Sequence, residues 1–147
     1  MPNSPLYDKD FYARANEQAS LLRARRLAAA DIEHIAEEIE SMGRTEKREL
    51  VNRLAVLFLH LLKWRHRPSL QSRSWRLTIE EQRYRLLDHL ADNPSLKSGI
   101  DRAIHDAYRL ALIEAEKKTG LPRTSFPDAC PWTIDQALDQ RYWPDAP

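Results

Sequence analysis

The chain has 147 residues and carries 23 Lys or Arg against 22 Asp or Glu, a net charge of +1. That length suits a single domain able to bury roughly 70% of its unfolded surface unaided, and the charge balance excludes a whole-molecule field that gathers polyanions. One cysteine, Cys130, excludes an internal disulfide and a multi-cysteine zinc site, and three glycines are few for strands joined by tight turns.

The apolar period is helical throughout. A first helix is predicted over about 8–26, with Phe11, Ala15, Ala19 and Leu22 on one face. Asp8 and Asp10 fall in its first turn and Arg23, Arg25 and Arg26 in its last, as the helix dipole favours. A second runs over about 31–42, where Ile32, Ile35, Ala36, Ile39 and Met42 form an apolar stripe, and Gly43 stands where a C-terminal cap belongs. A third, from near Thr45 to His66, is apolar nearly all round. Leu50, Val51, Leu54, Leu57, Phe58, Leu61 and Leu62 form its wide face, and Val56 and Leu59 cover most of the rest. Such a helix belongs at the centre, and Pro68 stops it.

A fourth helix starts within 72–78, with Ser74 or Thr78 as cap, and ends at Ala91 before Asn93–Pro94. Trp75, Ile79, Leu86 and Leu90 mark its buried face. A fifth starts at Ser95 or Ser98 and reaches Lys118, with Ile100, Ile104, Ala107, Tyr108, Ala111 and Ala115 inward. Gly120–Leu121–Pro122 stops it. The tail holds a short helix over 133–138, where Thr133 and Gln136 fit a capping box. Phe126, Trp132, Tyr142 and Trp143 are expected to anchor this tail. The reading is all-α: a compact bundle of five main helices, with a short C-terminal helix in a wrapped tail.

No apolar run approaches the ~20 residues that span a bilayer, and the first residues lack the basic and apolar regions of a signal peptide. A soluble, cytoplasmic protein is expected, which suits a lone cysteine.

Four stretches carry a family resemblance: YDKDFYARANEQASLLR (7–23), IAEEIESMGRTEKREL (35–50), LHLLKWRHRPSLQSRSWRLTIEEQR (59–83) and TGLPRTSFPDACPWTIDQALD (119–139). In order and over about 7–144, the chain resembles the bacterial family catalogued as domain of unknown function 29. The resemblance implies a small, stand-alone, all-helical domain. It implies no reaction, ligand or catalytic residue.

Three constellations bear on function. Residues 31–40, DIEHIAEEIE, hold five carboxylates and no base. Glu38 and Glu40 fall on opposite flanks of the Ile stripe, and salt bridges to Arg44, Lys47, Arg48 and Arg53 of the third helix are the expected use. The sharper alternative is a hydrolytic or metal site centred on Glu38 and His60. His60 is expected to be a neutral core histidine, because burial disfavours its charged form. The chain has no Glu-x-x-His pair of the kind di-metal bundles use. Asp31–His34 and Asp101–His105 are the nearest substitutes, with His105 solvated. No metal and no cofactor is expected, and Cys130 reads as a packing residue.

The last constellation is KWRHRPSLQSRSWR, residues 63–76. Residues 44–85 hold eleven Lys or Arg and four acids, a local net charge of +7, whereas the flanking segments are each at −3. A basic corner bearing Trp64 and Trp75 fits phosphate gripping and base stacking. Helical phase turns both tryptophans inward, however, and the acidic second helix is expected to neutralise part of the charge. No glycine-rich phosphate loop, Walker sequence or Ser/His/Asp order is present. The favoured function is a non-catalytic interaction module that docks a protein partner or self-associates. Nucleic-acid binding through Lys63, Arg65, Arg67, Arg73 and Arg76 is the alternative, and no membrane role is expected.

Overall fold

The structure, a computed structural model, describes residues 10–147. Among the described residues five α-helices follow one another: α1 (Phe11–Arg23), α2 (Ile32–His66), α3 (Arg73–Asp92), α4 (Ile100–Thr119) and α5 (Ile134–Leu138). Short 3-10 turns occupy Pro68–Leu70, Pro94–Gly99 and Arg123–Ser125, and the described residues contain no strand. The chain divides into two units, one ending at Thr45 and the other running Glu46–Pro147.

In the first unit Asp10 caps α1 by accepting from the Ala13 N–H at 2.9 Å. The helix stops before the predicted Arg26. Arg25 takes a left-handed φ of 58°, a conformation a side-chain-bearing residue adopts only under local constraint. Asp8 and the side chain of Phe11 lie outside the described residues. Asp31 opens α2, accepting from the His34 N–H at 3.3 Å, while its own N–H donates to Gln18 Oε1 at 2.8 Å.

The predicted second and third helices are one element. Gly43 does not cap; it lies inside α2, with nothing near the position a Cβ would take. An interior glycine costs about 1 kcal/mol relative to alanine, which the strong formers on both sides, Glu37 to Met42 and Glu46 to Leu50, offset. The apolar stripe is only partly covered. Ile35 and Ala36 are half-buried, but Ile32, Ile39 and Met42 are 54%, 63% and 67% exposed.

The second unit follows the sequence reading more closely. From Glu46 onward α2 carries Leu50, Leu54, Leu57, Phe58, Leu59, Leu61 and Leu62 into the core, and only Val56 of the predicted covering pair stays exposed. Ser72 caps α3, accepting from the Trp75 N–H, so the helix starts earlier than Ser74 or Thr78 would set it. Ile79, Leu86 and Leu90 are buried, while Trp75 is half-buried. In α4, Ala107, Tyr108, Ala111 and Ala115 face inward, and Gly120 at φ 72° closes the helix as predicted. The Thr133–Gln136 capping box forms on α5.

The tail is held by aromatics and by one arginine. Trp132 stacks on Phe58 at 6.0 Å, Trp143 meets Trp64 at 4.6 Å, and Phe126 meets the His66 ring at 4.9 Å. Arg83 of α3 is fully buried. It donates to the carbonyls of Ala137 at 2.7 Å and Tyr142 at 2.8 Å, and its guanidinium lies 5.3 Å from the Trp143 ring centre.

Candidate functional site

The acidic stretch does not form the predicted seam, because Glu38, Glu40 and Arg44 share one helix. Glu38 pairs instead with Arg14 of α1, a side chain only 9% exposed. Glu40 stands 4.0 Å from Arg44, and both are more than 60% exposed, so the contact stabilises little. His34 pairs with Asp31, and that hydrogen bond holds the Asp31 carboxyl below the usual carboxylate range.

His60 belongs to the second unit and is half-buried. Its Nδ1 donates to the Val56 carbonyl at 2.8 Å. Burial lowers its pKa, and the charges of Lys63 and Lys118 add to the effect. Glu38 and His60 therefore each have a partner in their own unit. His105 is exposed. The Cys130 thiol is half-buried, donates to the Trp132 carbonyl at 3.5 Å and is pushed up by burial. Few thiolates form under those conditions, so it is a poor nucleophile.

At the basic corner the tryptophans are half-buried and engaged. Trp64 packs on Trp143, and Lys63 Nζ sits 4.5 Å above the Trp75 ring. Burial and Lys118 lower the Lys63 pKa. Arg67 spans to α4, donating to the Thr119 carbonyl at 2.8 Å. Arg73 and Arg76 are exposed. Among the described residues, none of Lys63, Arg65, Arg67, Arg73 and Arg76 has a carboxylate within 4.0 Å.

A further cluster joins α2 to α3. Glu46 and Glu49 lie one turn apart on α2, and His89 reaches them from α3. His89 Nδ1 is 3.5 Å from Glu46 Oε2 and 3.9 Å from Glu49 Oε2, and Nε2 is 3.0 Å from the Glu46 carbonyl. Arg53 grips Glu49 Oε1 from Nε and Nη2, at 2.9 and 2.7 Å, and holds that carboxyl below its usual range. The cluster opens on a cleft of about 470 Å³ that Arg85, Asp88, Asp92 and Asn93 also line. Sequence reading missed it because forty residues separate Glu49 from His89. The one local signal was Glu46-x-x-Glu49, two carboxylates at a spacing that shares a helix face.

The described residues define an all-α protein. The chain belongs to the family described as Domain of unknown function DUF29, whose sequence pattern matches residues 6–143. Neither the curated proteins nor the solved structures hold a match to it. Among the described residues no helix is long and apolar enough to cross a membrane.

Proposed function

We propose that this chain is a non-catalytic interaction module that pairs with a second copy of itself through the helices of its first unit. One observation carries the reading: among the described residues, an apolar face written at helical spacing is left uncovered. Ile32, Ile39 and Met42 lie within about 80° of one another on α2, each more than half exposed. Tyr12, Leu22 and Leu27 of the same unit are 78%, 39% and 58% exposed. Contiguous exposed apolar side chains rimmed by charge mark association surfaces.

Charge argues for a second copy as the occupant. The same unit exposes Arg23, Arg25 and Arg26 at the end of α1 and Glu33, Glu37 and Glu40 along α2. A two-fold pairing sets each basic turn against the other copy's acidic stretch, and one patch serves both subunits. A net charge of +1 gives the copies little mutual repulsion. A reducing cytoplasm is the compartment that suits the free Cys130 thiol.

Sedimentation equilibrium of the full chain is expected to give a dimer at micromolar concentration. The double substitution Ile39→Asp, Met42→Asp is expected to give a monomer of unchanged helicity. A wild-type chain that stays monomeric at the highest concentrations overturns the reading.

A second reading rests on a separate observation, the five cations of the basic corner that lack carboxylate partners among the described residues. Arg73 and Arg76 are exposed and open to phosphates, and binding driven by such cations falls steeply as salt rises, through counterion release. Fluorescence anisotropy with single- and double-stranded probes is expected to show low-salt binding that Arg73→Gln with Arg76→Gln weakens. No binding at low salt removes this reading.

A further inference from the structure

The Glu46–Glu49–His89 cluster sets one imidazole nitrogen against two carboxylates. The Glu46 carbonyl can only accept, so the His89 nitrogen facing it, Nε2, carries the hydrogen. In the neutral ring Nδ1 then presents a lone pair. Among the described residues it makes no hydrogen bond, and it faces Glu46 Oε2 and Glu49 Oε2 at 3.5 and 3.9 Å. His89 is 8% exposed, whereas Glu46 and Glu49 are 43% and 38% exposed and turn toward the cleft, so the imidazole is held in place while the carboxylates stay open to a ligand.

We propose that Glu46, Glu49 and His89 bind one divalent transition-metal ion. The three donor atoms lie within 4.8 Å of one another. A zinc-type ion holds N and O donors at about 2.0–2.2 Å, which sets tetrahedral donors roughly 3.4 Å apart. The observed spacings need only small side-chain rotations to close. The surroundings already have the form of an outer ligand shell. A backbone carbonyl fixes the histidine tautomer, as it commonly does behind a metal-bound imidazole. Arg53 occupies only Oε1 of Glu49 and leaves Oε2 turned to the histidine; it is a positioning residue. The mouth of the cleft, with Asp88, Asp92 and Asn93, leaves room for water or a further oxygen ligand. One imidazole with two carboxylates favours zinc, manganese or iron(II) over calcium or magnesium, which take all-oxygen sets.

The test is calorimetric titration of the chelator-treated full chain with Zn²⁺. One equivalent is expected to bind at micromolar concentration or tighter, and Mg²⁺ and Ca²⁺ are not expected to displace it. His89→Ala removes a buried hydrogen bond and can unfold the site. The near-isosteric Glu46→Gln and Glu49→Gln therefore carry the test, each expected to weaken binding about tenfold or more with an unchanged circular dichroism spectrum. Zn²⁺ binding that both glutamine variants leave unaltered places the ion on other histidines and overturns the proposal. Absence of binding below millimolar Zn²⁺ also overturns it. Displacement by Mg²⁺ at comparable concentration overturns the assignment of metal class.

Discussion

Substitution of Phe58 by alanine is expected to lower the unfolding free energy by about 4 kcal/mol. Phe58 has no exposed surface, and its ring joins three parts of the second unit: α2 itself, Tyr108 of α4 at 6.2 Å edge-on, and Trp132 of the tail at 6.0 Å. The loss combines the transfer free energy of the ring with that of the cavity left behind. Collapse of that cavity is restricted, because the Tyr108 hydroxyl is tied to the Pro127 carbonyl at 2.6 Å and cannot follow freely. Burial has pushed the same phenol well above its usual pKa, so it stays a neutral donor across ordinary pH. Native domains have only about 5–15 kcal/mol in hand, so a quarter or more of the stability rests on this ring. Phe58→Leu keeps much of the volume and is expected to cost about 1.5 kcal/mol. Urea unfolding followed by far-ultraviolet circular dichroism measures both. A loss below about 2 kcal/mol for alanine would show that Trp132 and Tyr108 close over the gap.

Phe58 was legible because its neighbours repeat at helical spacing. The same holds for Ile79, Leu86 and Leu90 on α3 and for Ala107, Ala111 and Ala115 on α4. Local chemistry was legible too: Gly120 and the Thr133–Gln136 box cap helices where the residue types demand it. Gly43 misled because one glycine between strong helix formers is ambiguous. It caps only if the chain turns, and glycine type alone carries no such instruction. The stripe Ile32–Ile39–Met42 was legible as apolar, but its exposure was not. Periodicity says that a face needs cover, not that its own chain supplies the cover. Partner choice was least legible. Glu38 found Arg14 and Glu49 found Arg53, while the bases expected to neutralise the acidic stretch lie on the same continuous helix as Glu38 and Glu40. The metal-type cluster and the Arg83 anchor both depend on residues that only the fold brings together.

That anchor supplies the other large expected effect. Replacing Arg83 with methionine, which has a similar unbranched stem, is expected to destabilise the protein by about 3 kcal/mol. A buried guanidinium is itself unfavourable. Burial lowers the Arg83 pKa, and among the described residues no carboxylate lies within 4.0 Å of it; Asp139 acts only from further away. Removing the charge relieves that penalty. Against the relief stand the Ala137 and Tyr142 carbonyls, which lose their arginine donor, at roughly 1–3 kcal/mol for each one left unsatisfied. The contact with Trp143 adds about 1 kcal/mol. The losses outweigh the relief because the fork addresses two carbonyls five residues apart and closes the tail onto α3. Lysine keeps the charge without the planar fork, so Arg83→Lys is expected to lose most of the same stability. Freed carbonyls should also loosen Trp143 from Trp64, which red-shifts tryptophan fluorescence and opens the tail beyond α5 to proteases before global unfolding. A change of less than about 1 kcal/mol in urea unfolding, with the tail still protected, would mean that the other tail contacts hold it without Arg83 and that the buried charge cancels its own bonds.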